Sequence, residues 1–206
     1  MRLQNSATMQ EIEETKEIKE ILDYLSMIFP LSKKCRSYLN KVIKHKKIRK
    51  KEALLKIGEV NHYLYFIKKG ALKCYYYHNG EAVCAWFFLE NETVVSIGSF
   101  YKQVPGVDCI EAVEDTEVYY ISKEDYDYLK RTFLEFANIA CTLLEKYLDV
   151  FETHARLIRQ QSSFETYQMA MEKMPQLVLR IPGNDLASWL NMDPSTLSRK
   201  RSEGGK

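Results

Sequence analysis

The residues best suited by type to bind another molecule lie close to the end of the sequence. A short predicted helix there combines hydroxyl groups with cations. Its polar positions are Ser195, Thr196, Ser198, Arg199, Lys200 and Arg201. Hydroxyls can bond base edges or phosphates, and arginine can bond guanine through two parallel hydrogen bonds. These residue types predict contact with double-stranded DNA, and a small helical hairpin with a solvated polar face is the alternative.

The residues just before this helix predict the turn that would position it. Residues 184–201 read NDLASWLNMDPSTLSRKR, the pattern of two short helices joined by a tight turn. Asn191 falls at the turn, where the backbone needs a residue that tolerates positive φ. Asp193 can accept backbone N–H groups as the N-cap of the second helix, and Pro194 suits its first position. Together these local signals predict a helix-turn-helix.

The segment that leads into this element has its own boundary signals. Ser162 or Ser163 is a candidate N-cap for a helix that a proline then ends. Residues 177–183, LVLRIPG, have an extended pattern. The next helix is predicted to begin with Asn184 or Asp185 as its N-cap.

A long helix is predicted upstream, over residues 122–160. Ser122 with Asp125 resembles a capping box and marks its start. Apolar residues then recur at alternating spacings of three and four. This seam consists of Leu134, Ala137, Cys141, Leu144, Leu148, Phe151, Ala155 and Ile158. Such a seam, sustained for more than three heptads, is typical of helices that pair.

A second apolar stripe lies beside the seam on the same predicted helix. It consists of Phe133, Phe136, Ala140, Leu143, Tyr147, Val150 and Leu157. A helix that is apolar over so wide an arc must be covered on two sides. We expect one side to face the β-domain of its own chain and the seam to face a second chain in a two-fold dimer. Burial of the helix wholly within one domain is the alternative.

Short strands separated by turns are predicted between about residues 53 and 121. This region is rich in Tyr, Phe, Val and Ile, and glycines punctuate it. Asn79 and Gly80 both tolerate positive φ, as a type I′ hairpin turn requires, and strand-forming residues flank them. The spacing predicts a compact all-β sandwich or barrel.

Composition limits the class of protein. The chain has 206 residues, of which 46% are hydrophobic and 28% charged, and its formal net charge of +2 does not by itself indicate a nucleic-acid partner. No stretch approaches the roughly 20 apolar residues that cross a membrane. The N-terminal residues lack a secretory signal, and five cysteines, an odd number, suit a reducing compartment. We expect a cytoplasmic protein with no membrane partner.

Motifs of enzymes and metal sites are missing from the sequence. It contains no H-x-H pair, no G-x-S-x-G and no phosphate loop. The cysteines are widely spaced, which gives no support to an iron–sulfur site. His154 lies on the predicted long helix and is expected to be a packed, hydrogen-bonded residue. We predict no enzymatic activity, no metal and no cofactor.

The order of these parts resembles the Crp/Fnr family of bacterial transcription regulators. The resemblance spans about residues 18–203 and rests on AVEDTEVYYIS, at 112–122, and RIPGNDLASWLNMDPSTLSR, at 180–199. The second stretch is close to the I-P-x-x-x-I-A-x-x-L-G-x-x-P-x-x-L-S-R pattern of members from Bacteroidetes-like bacteria. The resemblance implies an α+β fold. It would have a double-stranded jelly-roll, related to cyclic-nucleotide-binding domains, with flanking helices in 1–121.

The same resemblance implies a dimerisation helix over 122–160, a DNA-binding helix-turn-helix over 161–206, and a homodimer that reads an inverted repeat. Ser195, Thr196 and Arg199 would face the bases, and RNA polymerase is a further candidate partner. Lys200 departs from the family, which usually has an apolar residue there; its stem could still cover the surface beneath the helix. A ligand-sensing or scaffold protein that no longer reads DNA is the alternative.

In relatives that bind cyclic AMP, a short segment supplies a glutamate for the ribose and an arginine for the phosphate. The resemblance places Ser96 at the glutamate and Gly106 at the arginine, and no arginine occurs between Arg49 and Arg131. A buried phosphate without a cation loses a charge-assisted contact, so cyclic AMP is predicted not to bind by the usual mode.

Four other residues could line a pocket for a smaller or less charged effector. They are Trp86, Ser96, Ser99 and Tyr101. A filled pocket with no ligand is the alternative.

Overall fold

The computed structural model describes residues 16–203. Its strands are β1 (Lys44–Ile48), β2 (Ala53–Leu55), β3 (Tyr63–Lys69), β4 (Leu72–His78), β5 (Glu81–Phe88), β6 (Thr93–Val94), β7 (Cys109–Ala112) and β8 (Thr116–Ser122). Its helices are α1 (Lys16–Ile28), α2 (Lys33–Val42), α3 (Ile97–Lys102), α4 (Lys123–Thr132), α5 (Leu134–Leu157), α6 (Ser163–Lys173), α7 (Pro175–Arg180), α8 (Gly183–Trp189) and α9 (Pro194–Glu203).

The strands form two antiparallel sheets that share one buried core. Their orders are β1-β8-β3-β6 and β2-β7-β4-β5. Ile67 and Val118 of the first sheet meet Ile110 of the second in this inner core, where all three are fully buried. Alternate residues point outward, which is the period of two that a half-buried strand requires. The predicted α+β class, a jelly-roll-like sandwich with flanking helices, is confirmed.

The predicted hairpin turn is present between β4 and β5. Asn79 has φ 51° and Gly80 has φ 83°, both in the left-handed region. His78 and Glu81 pair directly across the turn, so the loop consists of Asn79 and Gly80. Primed turns of this kind match the right-handed twist of the strands they join.

Gly70, between β3 and β4, has a stricter steric requirement than Gly80. Its φ is +103°, and an added Cβ would lie 2.4 Å from Oγ1 and 2.7 Å from Cα of Thr116. The same atom at Gly80 would meet open space. Gly70→Ala is therefore expected to lower the free energy of unfolding by about 3 kcal/mol, and Gly80→Ala by only about 1 kcal/mol. Urea unfolding of both variants checks this, and equal losses would show that backbone strain alone sets the cost.

The helices α1 and α2 cover the outer face of the first sheet. Leu22 of α1 and Leu39 of α2 are buried against Phe66 of β3 and Ile139 of α5. The side chain of Ser32 accepts a hydrogen bond from the backbone N–H of Cys35 and so caps α2. This second core ties the sandwich to α5.

The segment 122–160 is two helices rather than the single long helix predicted. Ser122 caps α4 as expected, since its hydroxyl accepts from the Asp125 N–H. Phe133 then adopts an extended conformation, with φ −121° and ψ 111°, and separates α4 from α5. Its ring lies 6.3 Å from that of Tyr38 and 6.4 Å from that of Tyr128. The break lets Phe133 pack between α2 and α4, a tertiary contact that heptad spacing does not reveal.

The prediction of an extended segment over residues 177–183 is wrong. Residues Pro175–Arg180 form α7, with the proline at its first turn, where its missing N–H costs nothing. Val178 of this helix is buried against the terminal helices. The following helix, α8, begins at Gly183 with Pro182 at the N-cap, so neither Asn184 nor Asp185 caps it.

The two C-terminal helices, α8 and α9, are joined by the tight turn that the sequence predicted. Asn191 has φ 52°, as its place in the turn requires. The Asp193 carboxylate accepts a hydrogen bond from the Ser195 N–H at 2.7 Å, ahead of the first turn of α9. Upstream, Ser162 and Glu165 form a complete capping box at the start of α6. We call α8 and α9 the terminal helix pair.

Candidate functional site

The polar face of α9 is open to solvent in the single chain. Ser195, Ser198 and Arg199 are exposed, and Thr196 is half-buried. The Arg199 guanidinium lies along the helix, where Nη2 donates to the Thr196 hydroxyl at 3.3 Å and Nε to the Ser195 carbonyl at 3.4 Å. The predicted base-facing residues are therefore brought together in the first half of α9. They form one surface that combines hydroxyls with a cation.

The cap of α9 adds a fixed negative group at the start of this surface. The hydrogen bond with Ser195 holds the pKa of the Asp193 carboxyl below its usual range. A carboxylate at this position satisfies N–H groups of the first turn and is favoured by the helix dipole. The cap therefore fixes the direction in which Ser195 and Thr196 leave the turn.

The last two predicted DNA contacts have partners within the chain. Lys200 Nζ lies 5.2 Å from the centre of the Phe164 ring on α6, so its side chain packs beneath the helix. Arg201 Nη2 donates to the carbonyl of Val178 at 2.7 Å and of Ile181 at 3.3 Å. Its guanidinium satisfies carbonyl groups at the end of α7. Arg201 was predicted to contact DNA. This prediction is corrected, because its guanidinium bonds the chain's own backbone.

The predicted seam on α5 is the solvent-facing side of that helix. Leu134 is 75% exposed and Leu148 is 55% exposed, although both are apolar. Leu144, Phe151 and Ile158 are also exposed, and so is Cys141. The remaining seam residues, Ala137 and Ala155, are half-buried. Phe151 contacts the ring of Trp86, with centres 5.8 Å apart, but it is still 49% exposed.

The opposite side of α5 packs against the chain's own sheets. Phe136 and Ile139 are buried with α1 and α2, and Leu157 is buried with the terminal helix pair. Tyr147 and Val150 pack against the inner core of the sandwich. The helix thus has one covered face and one uncovered apolar face.

The terminal helix pair docks directly on the second sheet. Lys73 on β4 donates to Asp185 of α8 at 3.0 Å and lies 3.4 Å from Glu111 on β7. The backbone N–H of Cys84 on β5 donates to the Ser188 hydroxyl at 3.0 Å. These polar groups of α8 and of the sheet bond each other, so α8 has a defined position on the sheet.

Trp189, at the end of α8, is the largest residue in this junction. It is 2% exposed, and its ring stacks on that of His154 of α5 at 4.3 Å. It also meets the edges of Trp86 and Phe87 on β5, with ring centres 6.2 and 5.9 Å apart. The junction therefore joins α5, the second sheet and α8 through aromatic packing.

His154 is packed and hydrogen-bonded, as the sequence predicted. Its Nε2 lies 3.0 Å from the carbonyl oxygen of Trp189, to which the neutral ring can donate. Burial lowers the pKa of His154, against the opposing effect of that carbonyl. The ring is thus held neutral between α5 and the terminal helix pair.

A second set of contacts fixes α7 to the loops of the sandwich. The Arg180 guanidinium forms two hydrogen bonds with the Glu90 carboxylate, at 2.7 and 2.8 Å, and also contacts Glu114. The Arg180 hydrogen bonds lower the pKa of Glu90 to about 2. Bidentate pairs of this kind set geometry as well as attraction.

The segment predicted to replace the cyclic-nucleotide site is closed by its own hydrogen bonds. The Ser96 hydroxyl donates to Asp108 at 2.6 Å, and the Ser99 hydroxyl donates to the carbonyl of Val104 at 2.6 Å. Asn61 bonds both residues from the other side. Gly106 lies so close that an added Cβ would be 3.1 Å from Ser99 Cβ. The position that the resemblance assigns to an arginine has no room for a side chain without movement.

The four residues predicted to line one effector pocket lie in different environments. Ser96 and Ser99 are buried in the hydrogen-bonded segment, and Trp86 is buried beneath α5. Tyr101 is half-exposed and lines a cavity between the first sheet and α5. The predicted grouping is therefore corrected, because Tyr101 lines this cavity and the other three residues do not. Sequence spacing could not show this, since the wall comes from elements far apart in the chain.

Two kinds of site are missing from the described part of the chain. No group of three His, Cys, Asp or Glu side chains within residues 16–203 is arranged to hold a metal ion. None of the described helices is both long and apolar enough to span a lipid bilayer.

Comparison with known proteins places this geometry among known folds. Residues 45–132 match the family described as cyclic nucleotide-binding domain. No curated protein matches the sequence significantly.

Among solved structures, FixK2 from Bradyrhizobium japonicum is similar with a TM-score of 0.68 and 19% identity, over 79% of this chain and 84% of that one. The c-di-GMP responsive global regulator CLP of Xanthomonas campestris has a TM-score of 0.61 and 15% identity, over 84% of this chain and 91% of that one. A CooA mutant from Carboxydothermus hydrogenoformans has a TM-score of 0.60 and 18% identity, over 79% of this chain and 76% of that one. Residues 45–132 thus resemble a cyclic nucleotide-binding domain, and the chain has a fold similar to that of FixK2, CLP and CooA.

Proposed function

We propose that this protein is a transcription regulator of the Crp/Fnr type that binds double-stranded DNA as a homodimer. The observation that carries the proposal is the uncovered face of α9, on which Ser195, Ser198 and Arg199 are exposed together. Hydroxyls and an arginine near the start of a helix are the groups that read base edges in the major groove. Enzymatic activity is not part of the proposal, and we expect the protein to act in the cytoplasm.

The dimer follows from the uncovered apolar face of α5. Leu144, Leu148 and Phe151 are exposed on one side, while the other side of the helix is buried. Exposed apolar stripes of this length mark interaction surfaces. A two-fold axis along α5 would present two copies of α9 on the same side of the dimer. Two such helices read half-sites about one turn of DNA apart, roughly 34 Å.

The similar structures support a regulatory role. CLP is described as a global regulator that links cell–cell signalling to virulence gene expression. The likeness to it extends over 84% of this chain, so it includes more than the β-domain. We infer the same general role here, with the operator left open.

We further propose that cyclic AMP does not regulate this protein by the usual mode. The segment that would receive its phosphate offers Ser96 and Ser99, whose hydroxyls already donate to Asp108 and to the Val104 carbonyl. Asp108 adds negative charge where a phosphate would need a cation. An anion placed there would be repelled and would have no charge-assisted partner. Equilibrium dialysis should detect no micromolar binding of cyclic AMP or cyclic GMP.

The alternative is a sensor or scaffold protein that no longer binds DNA. The observation in its favour is that Lys200 and Arg201 are both engaged by the chain's own helices. Within α9 this leaves Arg199 as the cation that faces outward. A low cation count weakens the electrostatic part of DNA binding.

Arg199→Ala tests the two functions against each other. We expect wild-type protein to bind a DNA fragment selected from a random duplex pool, and the variant to lose about 1–3 kcal/mol of preference for one base at one position of each half-site. Gel-shift titrations against single-base variants of the selected duplex, at two salt concentrations, measure this.

Arg131→Ala is the matched control, because it removes the same charge from an exposed position at the end of α4. It should leave the base preference unchanged. Wild-type protein that selects no duplex from the pool would contradict the DNA-binding proposal and favour the sensor alternative.

A further inference from the structure

A cavity of about 140 Å³ lies between the outer layer of helices and the first sheet. Its walls come from the helices α1 to α5, the first sheet, and Phe88 of β5 in the second sheet. The cavity is only partly enclosed, because Ile97, Tyr101 and Leu144 in its wall are also exposed to solvent. The hydrogen-bonded residues Ser96, Ser99 and Asp108 do not line it, although Ile97 and Tyr101 of the same segment do.

The wall of the cavity is almost wholly apolar. Leu64, Phe66, Val95, Ile139 and Leu143 are typical members, and none of the described wall residues carries a charge. Its polar atoms are the hydroxyls of one threonine and of several tyrosines. A charged or strongly polar molecule would lose its hydration here without gaining enough partners.

The size of the cavity limits what can fill it. An engineered apolar cavity of about 150 Å³ in another protein stays dry and binds benzene or xenon. The present volume is close to that value, so one six-membered ring with a small substituent fits. A helix from a partner protein does not fit, because a helix is about 10 Å across with its side chains.

We propose that this cavity is a binding site for a small uncharged apolar molecule, such as a monocyclic aromatic hydrocarbon. Such a ligand would fill the void and restore the dispersion contacts that its lining atoms lack. Tyr101 and Tyr126 both line the wall, with their ring centres 6.5 Å apart and their planes at 65°, so the cavity has aromatic surface for a ring-shaped ligand to pack against. Binding of this kind does not depend on whether the protein binds DNA.

The position of the site gives it a route to the rest of the molecule. Ala140, Leu143, Leu144 and Tyr147 of α5 form one wall, and Leu144 also belongs to the exposed seam. Tyr147 in turn contacts Trp86, which lies against His154 and Trp189. A ligand in the cavity therefore touches α5, which packs against both the sandwich and the terminal helix pair.

The test uses toluene as the probe and the full chain without DNA. Isothermal titration calorimetry should show saturable binding of one toluene per chain to wild-type protein. Ala140→Leu places a larger side chain in the cavity and should weaken binding at least tenfold. Ala82→Leu makes the same substitution at an exposed position on β5 and should stay within twofold of wild type.

A second measurement needs no variant and covers the case in which Ala140→Leu does not fold. Methyl NMR of wild-type protein with toluene should shift the signals of Leu64, Val95 and Ile139. The methyl groups of Ile67 and Ile110, which lie in the inner core of the sandwich, should stay unchanged. Absence of saturable binding, equal binding by Ala140→Leu, or shifts confined to Ile67 and Ile110 would each overturn the proposal.

Discussion

Leu148→Glu is expected to convert the protein from a dimer to a monomer without unfolding it. Leu148 lies within the exposed seam and is 55% exposed in the single chain, so a glutamate there stays hydrated when the chain is alone. In the proposed dimer the change occurs twice, and each carboxylate would be buried without a partner. An uncompensated buried charge costs about 3–5 kcal/mol, so the dimer dissociation constant should rise at least a hundredfold. Sedimentation velocity measures the change, and circular dichroism reports whether the fold is kept.

Leu179→Glu is the matched control for this substitution. Leu179 is 75% exposed on α7, outside the seam, and the same change of residue type there should leave the dimer intact. The loss of dimer should also abolish high-affinity binding to a two-half-site operator, because each monomer reads only one half-site. Wild-type protein that sediments as a monomer at micromolar concentration would contradict the proposed dimer.

Features with a strong local cause could be predicted from the sequence. Asn79 with Gly80, and Asn191, were assigned to positions that need positive φ, and each has it. Ser162 was one of two predicted caps, and it forms a full capping box with Glu165. Such signals need no knowledge of distant residues, because the side chain or the missing Cβ acts within a few positions of the backbone.

Features set by tertiary contacts could not be predicted. The extended conformation at Phe133 depends on Tyr38, which is far away in the sequence, and heptad spacing continues through the break. Residues 177–183 contain the β-favouring residues Val178 and Ile181, yet residues 177–180 belong to α7, in which Val178 is buried. Weak local preference gives way to burial in both places.

The candidate site likewise has features with a local cause and features set by tertiary contacts. The face of α9 follows from helical periodicity, so its exposed members Ser195, Ser198 and Arg199 could be named in advance. Arg201 could not be separated from them, because its partners are carbonyl groups of α7 and its direction depends on how that helix packs. The cavity was also missed, since its wall combines five helices with strands of both sheets and no local pattern describes a void.

The junction between the sandwich and the terminal pair has a consequence for how α9 is presented. Lys73 with Asp185, Cys84 with Ser188, and Trp189 with His154 together hold α8 on the sheet and on α5. A terminal pair attached only through a linker would sample many orientations. Here its orientation is fixed relative to α5, and a change in α5 packing would be transmitted to α9 through this contact.

Trp189→Ala is expected to have the largest effect on this junction. The side chain is fully buried among His154, Trp86 and Phe87, and truncation of a buried tryptophan costs about 3–5 kcal/mol of unfolding free energy. Much of the loss should be local, because the contacts removed join α8 to the rest of the molecule. Hydrogen exchange should therefore show faster exchange of the α9 amides, while those of β3 and β8 keep their protection.

Trp189→Phe separates packing from hydrogen bonding at the same position. The indole Nε1 is buried with no acceptor among the described residues, so the wild-type side chain gains nothing from its N–H group. Phenylalanine keeps an aromatic face against His154 and removes a donor that has no partner, so it should cost less than about 1.5 kcal/mol. A loss as large as that of the alanine variant would mean that the full indole ring, and not only an aromatic face against His154, is needed to fill the junction. Unchanged exchange of α9 in Trp189→Ala would mean that the ion pair and hydrogen bond of α8 hold the terminal pair without the tryptophan.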